Sequence, residues 1–257
     1  MSPQLNNVHE ELQQWLTLLK LNVFKAQFQA LAEQCEKENR SYVEFLHELA
    51  WRENEQRQQK RMASLIKQAQ LPRNKLLSDF DITRIPGLAP SQVLSLASGD
   101  FMDRYGNILI FGNPGTGKTH LSIGLAREWC LLGRKVRFFT AANLVQLLLQ
   151  AKAQLRLTQC IKQLDRFDVI VIDDISYVPF EKSETDVLFT LLSERYEMRS
   201  VVITSNLPFS QWDSVFKDKM TTNAAIDRLV HHATILELNT SSYRAEVSLT
   251  NSMARLC

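Results

Sequence analysis

Glycines, a lysine and a threonine lie at fixed intervals between residues 112 and 119 and match the pattern G-x-x-x-x-G-K-[ST] without a mismatch. Glycines let the backbone curl so that several N–H groups point at one anion, and a following helix adds its positive dipole end. Lys118 supplies a mobile charge for the outer phosphates, and the Thr119 hydroxyl is placed to bind Mg²⁺. The pattern predicts a nucleoside triphosphate site formed by Gly112, Asn113, Pro114, Gly115, Thr116, Gly117, Lys118, Thr119 and His120.

A phosphate loop of this kind lies between a strand and a helix, and the residues on either side of the motif have the matching patterns. Residues 107–111 form a short apolar run, which predicts a strand. After the motif, large apolar side chains recur every four residues, which predicts a helix over residues 120–132. These side chains are Leu121, Leu125 and Trp129. A glycine-rich turn with a chance lysine is the alternative, and the strand–loop–helix context argues against it.

Two acidic side chains end a second apolar run. Residues 168–173 are apolar on both faces, as a central strand of a parallel sheet should be, and they end in Asp173. Ligands of such sheets lie beyond the carboxyl ends of the strands, so Asp173 is expected beside Lys118 and Thr119, where it can hold Mg²⁺. Asp174 points elsewhere and is expected to orient or deprotonate the attacking water. The alternative is a pair of solvated aspartates at a strand end.

A polar side chain also follows the predicted strand at residues 200–205. Asn206 would emerge at the same edge of the sheet as the two aspartates. We therefore expect its amide to hydrogen-bond the γ-phosphate or the lytic water. The competing explanation is an asparagine that forms a turn before Leu207 and Pro208.

Strands and helices alternate from residue 107 onward, which predicts an α/β fold with a parallel sheet and helices on both faces. The predicted strands are 107–111, 135–139, 168–173, 200–205 and 234–238. The first 72 residues instead have helical periodicity throughout, with no glycine before Gly87. Their aromatic side chains at helical intervals are expected in the core: Trp15, Phe24, Phe28 and Phe45. We predict a helical domain over 1–72, a linker over 73–103 and an ATPase domain over 104–257.

Composition limits the class of protein further. A chain of 257 residues, 45% hydrophobic, can hold one large α/β domain and a smaller appendage. No run of about 18 apolar residues is present, so no membrane span is expected. The N-terminus lacks the regions of a secretion signal, and the four cysteines have neither metal-ligand nor redox spacing. We therefore expect a cytoplasmic protein.

Charge is unevenly distributed along the helical region. Residues 33–55 carry seven glutamates, whereas residues 56–78 carry six basic residues and no acidic one. Such asymmetry is typical of a nucleic-acid surface, and the alternative is a solvated helix face. The candidate DNA-binding residues are Arg57, Lys60, Arg61, Lys67, Arg73 and Lys75.

Several segments carry a family resemblance. They are residues 106–121 around the phosphate loop, Asp-Asp-Ile-Ser-Tyr at 173–177, Ala-Ile-Asp-Arg-Leu-Val-His at 225–231, Ser-Tyr-Arg at 242–244, and the upstream Leu-Pro at 71–72 and Leu-Ser-Asp-Phe-Asp at 77–81. Together with the Thr-Ser-Asn strand end at 204–206, they resemble the AAA+ superfamily and, within it, the IstB/DnaC branch. The resemblance covers nearly the whole chain and is closest to IstB-like transposition helper ATPases.

That resemblance implies assignments that spacing alone does not give. It implies the sheet order 5-1-4-3-2 and rings or spirals of subunits with ATP at each interface. Arg228 matches the arginine finger that reaches a neighbour's γ-phosphate, with an intrachain pair to Asp227 or a nearby glutamate as the alternative. Arg244 matches the arginine that touches the nucleotide of its own subunit, with an exposed surface charge as the alternative.

The chain departs from the AAA+ pattern in two places. Asp174 stands where most of these ATPases have a glutamate, and the shorter side chain predicts weak basal hydrolysis. Only about twenty residues follow the fifth predicted strand, so the helical lid domain of many AAA+ proteins is expected to be missing or vestigial.

The resulting expectation is an ATPase that uses ATP and Mg²⁺, oligomerises on double-stranded DNA without strong sequence preference, and recruits a cognate transposase, with hydrolysis driving release. A DnaC-like replicative helicase loader, which acts on single-stranded DNA, is the first alternative. An ATP-switched scaffold without turnover is the second, because Asp174 replaces the glutamate.

Overall fold

The computed structural model describes residues 3–72, 75–175, 180–214 and 219–243. The chain forms two compact units, and the boundary between them falls at Ser64 and Leu65, inside the third helix. The first unit contains three helices: α1 (Pro3–Leu18), α2 (Asn22–Lys37) and most of α3 (Tyr42–Ala69). The second unit holds the β-sheet and the remaining helices.

Two glutamates of α3 help to organise the first unit. Glu44 and Ser41 form a capping box at the start of the helix, with Ser41 N donating to Glu44 at 2.7 Å and Glu44 N donating to the Ser41 hydroxyl at 3.2 Å. Glu53 is buried and accepts hydrogen bonds from Val23 N at 2.7 Å and from Arg57 Nε at 2.8 Å. Burial disfavours the charged form of Glu53, but the hydrogen bonds that it accepts and the positive charge of Arg57 together lower its pKa. Glu53 therefore ties α3 to the start of α2 as a carboxylate.

The core of the first unit is small. Leu31, Cys35 and Leu49 are buried, and three aromatic rings pack against them: Phe24, Phe28 and Phe45. Trp15 is 59% exposed, so the expectation that it lies in the core is wrong. A three-helix unit of this size has room for only part of the apolar surface that its helices carry.

The second unit is built on a five-stranded parallel sheet. The strands are β1 (Asn107–Gly112), β2 (Val136–Thr140), β3 (Val169–Asp173), β4 (Ser200–Ser205) and β5 (Ala233–Leu238). Their order is β2-β3-β4-β1-β5, and every neighbouring pair is parallel. The predicted α/β class and the order implied by the family resemblance are both confirmed.

The two faces of the sheet bury two separate cores. In β1, Ile108 and Ile110 pack with Leu121 and Leu125 of the helix α5 (Lys118–Leu131). Leu109 and Phe111 belong to the opposite cluster. This alternation follows from the two-residue period of a strand. Because helices cover both faces, all five residues of β3 are buried, which explains its uninterrupted apolar sequence.

Among the described residues, six α-helices accompany this sheet. They are α4 (Pro90–Ala97), α5 (Lys118–Leu131), α6 (Ala141–Ala153), α7 (Leu157–Leu164), α8 (Lys182–Arg195) and α9 (Lys219–Val230). The region assigned to a linker contributes to the core: Ile85, Val93 and Leu96 are buried, and the indole of Trp129 donates to the Leu96 carbonyl at 2.8 Å. Over the described ranges, none of the helices combines the length and the apolar composition that crossing a bilayer requires.

Candidate nucleotide site

The phosphate loop runs from the end of β1 to the start of α5, and two of its glycines are required by geometry. Gly115 and Gly117 have φ angles of 85° and 103°, in the left-handed region that side chains disfavour. A Cβ at Gly115 would clash with the Ser242 hydroxyl, and one at Gly117 would lie 2.8 Å from the Phe80 ring. The loop therefore curls tightly and ends at the N-terminus of α5, where backbone N–H groups and the helix dipole favour an anion.

The lysine of the motif lies inside this loop. Lys118 is 7% exposed, and its Nζ donates to the carbonyl oxygens of Gly112 at 2.7 Å and Asn113 at 2.8 Å. An ammonium group has three donors on a flexible stem, so phosphate oxygens can replace these carbonyls as acceptors. The predicted phosphate-binding position of Lys118 is thus supported by a side chain that is already within the loop.

Asp173, at the end of β3, and Asp174, which follows it, are joined to β4 by a chain of hydrogen bonds. The register pairs Ile172 with Ile203, which brings Asp173 opposite Thr204. The Thr204 hydroxyl donates to Asp173 at 2.7 Å and accepts from Asp174 N at 2.8 Å. A single hydroxyl therefore orients the carboxylate of one acid and the backbone of the next. No role was predicted for Thr204, because its pairing with Asp173 depends on the register between β3 and β4.

The backbone conformation of Asp174 differs from that of the strand before it, and its carboxylate has other partners than that of Asp173. Its φ of 61° is left-handed, a conformation that aspartate tolerates better than most residues. The Asn206 amide donates to Asp174 Oδ1 at 2.8 Å, so these two predicted residues do meet. Asp173, by contrast, is 8% exposed. The two acids thus have different surroundings, as their different predicted roles require.

Asp174, Asn206 and the phosphate loop line one cavity of about 640 Å³, and Asp173 is not among its wall residues. This volume is within the range of about 300–1,000 Å³ typical of ligand sites. Its wall includes Asp174, Thr204 and Asn206 as well as the phosphate loop from Pro114 to His120. Residues outside the predicted site complete the wall: Asp79, Phe80, Asp81, Arg84, Ile85, Thr240, Ser241 and Tyr243. Lys75, which was predicted to bind DNA, lines the same cavity.

Two chain segments close over the phosphate loop. Tyr243 N donates to the Gly115 carbonyl at 3.1 Å, so the residues after β5 cross the loop. The Arg84 guanidinium lies over the Tyr243 ring at 4.9 Å. His120 makes a hydrogen bond to the Leu76 carbonyl at 2.7 Å. The segments before β1 and after β5 therefore both form walls of the site, and residues of the segment assigned to a linker are among them.

The predicted arginine finger lies apart from this cavity wall. Arg228, in α9, stacks over the Phe189 ring at 5.3 Å and donates to the Ala224 carbonyl at 3.4 Å. No ion pair with Asp227 is found among the residues that the structure describes. Arg244 lies outside the described residues.

The predicted DNA-binding residues have diverse surroundings. Arg57 donates to Glu53 and, at 2.8 Å, to the Lys20 carbonyl, so it helps to hold the first unit together. Lys60, Arg61 and Lys67 are exposed on α3. Arg73 lies outside the described residues.

Proteins of two insertion sequences are similar to this chain over most of their length. An insertion sequence ATP-binding protein of Sinorhizobium fredii is 39% identical over 246 residues, which is 93% of this chain and 83% of that protein. The insertion sequence IS21 ATP-binding protein of Pseudomonas aeruginosa is 38% identical over 234 residues, which is 91% of this chain and 88% of that protein. The solved structure of the DnaC helicase loader matches with a TM-score of 0.54 at 17% identity, over 65% of this chain and 97% of that chain. The likeness to the DnaC structure concerns the fold alone.

A parallel sheet of this order, with a phosphate loop after β1 and acidic residues at the end of β3, defines a nucleotide-binding domain of the AAA+ class. The sequence profile of the IstB-like ATP binding proteins matches residues 14–251. The chain belongs to the family of IstB-like ATP binding proteins.

Proposed function

We propose that this chain is an ATPase of transposition that assembles on double-stranded target DNA, recruits or activates a transposase, and leaves the DNA when it hydrolyses ATP. The observation that carries the proposal is the meeting of Lys118, Asp174 and Asn206 around one cavity of ligand size. The similarity to insertion sequence ATP-binding proteins supports the role in transposition.

The oxygen donors at the sheet edge suit Mg²⁺. Thr119 and Asp173 offer a hydroxyl and a carboxylate, which are ligands that this ion prefers. The hydrogen bond from Thr204 orients the Asp173 carboxylate, as the partners of metal-binding carboxylates do. These two residues would hold the Mg²⁺ that offsets charge on the outer phosphates.

Hydrolysis then needs an ordered water and charge stabilisation. Asp174 is the base or orienting group for the water, because its carboxylate lines the cavity and is held by the Asn206 amide. Lys118 stabilises the charge that develops on the phosphate oxygens. Aspartate is one methylene shorter than glutamate, so the base lies farther from the phosphate and basal turnover is expected to be slow.

Arg228 acts on the nucleotide of a neighbouring copy. Its guanidinium is outside the wall of its own cavity, where it is half-buried over the Phe189 ring and donates to the Ala224 carbonyl of α9. An arginine supplied from a second subunit makes hydrolysis depend on assembly. DNA promotes this assembly by binding the exposed basic residues of α3 through its phosphates.

ATP turnover by the full chain, measured alone, with duplex DNA and with single-stranded DNA, tests the proposal. We expect duplex DNA to stimulate turnover, and Arg228→Ala to lower the stimulated rate by about 10³-fold while ATP affinity is kept. Arg166→Ala, which removes an exposed arginine, is the matched control and should be silent. Mixing Arg228→Ala with Asp174→Asn protein should restore turnover in part, because one mixed interface has both groups intact.

Other outcomes would reassign the function. Stimulation by single strands alone, together with retention of a replicative helicase instead of a transposase, would identify a helicase loader. ATP binding without turnover, even with duplex DNA and transposase present, would identify an ATP-switched scaffold. Full activity of Arg228→Ala would contradict the action of this residue on a neighbour.

A further inference from the structure

A second cluster of chemically capable side chains lies outside the nucleotide cavity. His231 and His232 lie between α9 and β5, and Glu197 lies between α8 and β4. One ligand atom from each of these three side chains lies within 4.8 Å of the other two. Both loops lead into the amino ends of parallel strands. The cluster therefore lies at the amino ends of the strands, whereas the phosphate loop lies at their carboxyl ends.

The distances within this cluster are close to those of a metal site. His231 Nδ1 and His232 Nε2 each lie 3.9 Å from Glu197 Oε1, and the two imidazole centroids are 4.0 Å apart. Ligands at about 2.0–2.1 Å from a tetrahedral Zn²⁺ are about 3.3–3.4 Å from one another. Small side-chain rotations therefore suffice to bring all three onto one ion. About half of each side chain is exposed, so an ion and its waters can reach it.

Tyr196 is the neighbouring group that must be accommodated. Its hydroxyl lies 2.8 Å from His231 Nδ1, and desolvation and the charge and hydrogen bonding of Glu197 raise the pKa of Tyr196. A metal ion at Nδ1 would displace the hydroxyl from the imidazole. The hydroxyl could then donate to the Glu197 carboxylate, and such a partner orients a ligating carboxylate in many metal sites.

We propose that Glu197, His231 and His232 bind a divalent transition metal, with water completing its coordination. Two imidazoles and one carboxylate form a donor set that suits Zn²⁺, whereas Mg²⁺ prefers oxygen ligands alone. This site is separate from the Mg²⁺ ligands at the nucleotide and does not depend on ATP hydrolysis. The ion would link the turn before β4 to the end of α9 and thereby stabilise the second unit.

Titration of the metal-free full chain with Co²⁺, followed by visible absorption in excess Mg²⁺, tests the proposal. We expect one equivalent of Co²⁺ to bind and Zn²⁺ to displace it. His232→Ala and Glu197→Gln should each weaken binding by at least about tenfold. In parallel, Zn²⁺ at the same concentration should raise the melting temperature of the unaltered chain by more than that of either variant.

The control is His47→Ala, which removes an exposed histidine of α3 and should bind Co²⁺ like the unaltered chain. Glu197→Gln keeps the size of the side chain, so a loss of binding there cannot be attributed to misfolding if the circular dichroism spectrum is unchanged. Equal affinity in all variants, or intense thiolate-to-cobalt absorption from cysteine ligation, would overturn the assignment. Failure of the chain to bind Co²⁺ at all would also overturn it.

Discussion

The nucleotide site at the carboxyl ends of the strands and the exposed basic residues of α3 are two candidate functional regions. They differ in how far their side chains are buried and held in place. At the sheet edge, Lys118, Asp173 and Thr204 are buried and held by hydrogen bonds of 2.7–2.8 Å. On α3, Lys60 and Lys67 are exposed and lie seven residues apart, on one face of the helix. The first arrangement depends on atomic positions, whereas the second depends only on charge. Substitutions should therefore have large and specific effects at the sheet edge and small, salt-dependent effects on α3.

Asp174→Asn should have the largest effect. We expect kcat for ATP hydrolysis to fall by about 10²–10⁴-fold, because an amide cannot accept the proton of the water. Asparagine also tolerates a left-handed φ, so the backbone and ATP affinity should be kept. Steady-state turnover and ATP binding by calorimetry check the two parts separately. Unchanged turnover would show that a different residue activates the water.

Lys118→Ala should remove most nucleotide affinity. The ammonium makes charge-assisted hydrogen bonds to phosphate, and its loss should weaken ATP binding by about 100-fold, or about 2.7 kcal/mol. ATP-dependent assembly should be lost as a result, and sedimentation with and without ATP measures it. Lys135→Ala, at an exposed position, is the control. Unchanged ATP affinity in Lys118→Ala would contradict the phosphate role.

Thr204→Val should combine a moderate loss of stability with a loss of Mg²⁺-dependent ATP affinity. Valine has a similar shape but leaves Asp173 and the backbone N–H of Asp174 without the hydroxyl that joins them. An unsatisfied buried group costs about 1–3 kcal/mol, so the free energy of unfolding should fall by that amount. Thr204→Ser keeps the hydroxyl and should behave nearly like the unaltered chain. Equal stability of the two variants would show that the hydrogen bonds are not important.

The sheet and the phosphate loop were predictable because burial and backbone conformation restrict which residues can occupy them. A strand covered on both faces must be apolar throughout, as β3 is, and the curled loop must contain glycine. The parallel arrangement then brings the ends of β1, β3 and β4 together. Thr204 was missed because the β3–β4 register, which pairs it with Asp173, is a tertiary property that no short motif encodes.

The helical unit and the linker show why the remainder was harder to predict. Helical spacing places Trp15 on an apolar stripe, but this small unit buries only a part of that stripe. Proline and glycine near residue 86 suggested a linker, yet Ile85 is buried and Arg84 lines the cavity. Lys75 belongs to a basic run in sequence but to the nucleotide cavity in space. In each case a local pattern was correct, and its packing partner was distant in sequence.

Neutralising Lys60, Arg61 and Lys67 together to glutamine should have the smallest effect at low salt and the clearest dependence on ionic strength. Each phosphate contact contributes about 0.9 to the slope of log affinity against log salt, so losing three should flatten the slope by about 2.7. The loss should be similar for unrelated duplex sequences, because these side chains contact phosphates and not bases. Fluorescence anisotropy with duplex DNA over a range of salt concentrations measures both quantities.

The matched control is neutralisation of Lys152, Arg156 and Lys162, three exposed basic residues of the second unit, which changes the net charge by the same amount. If only the α3 variant flattens the slope, DNA contacts this helix. If both variants flatten it equally, net charge alone attracts DNA and α3 is not its binding face. If neither does, DNA binds elsewhere, and α3 becomes the candidate surface for the transposase. The difference between the salt slopes of these two variants therefore decides whether α3 binds DNA through its charge, in contrast to the nucleotide site, where the positions of the atoms matter.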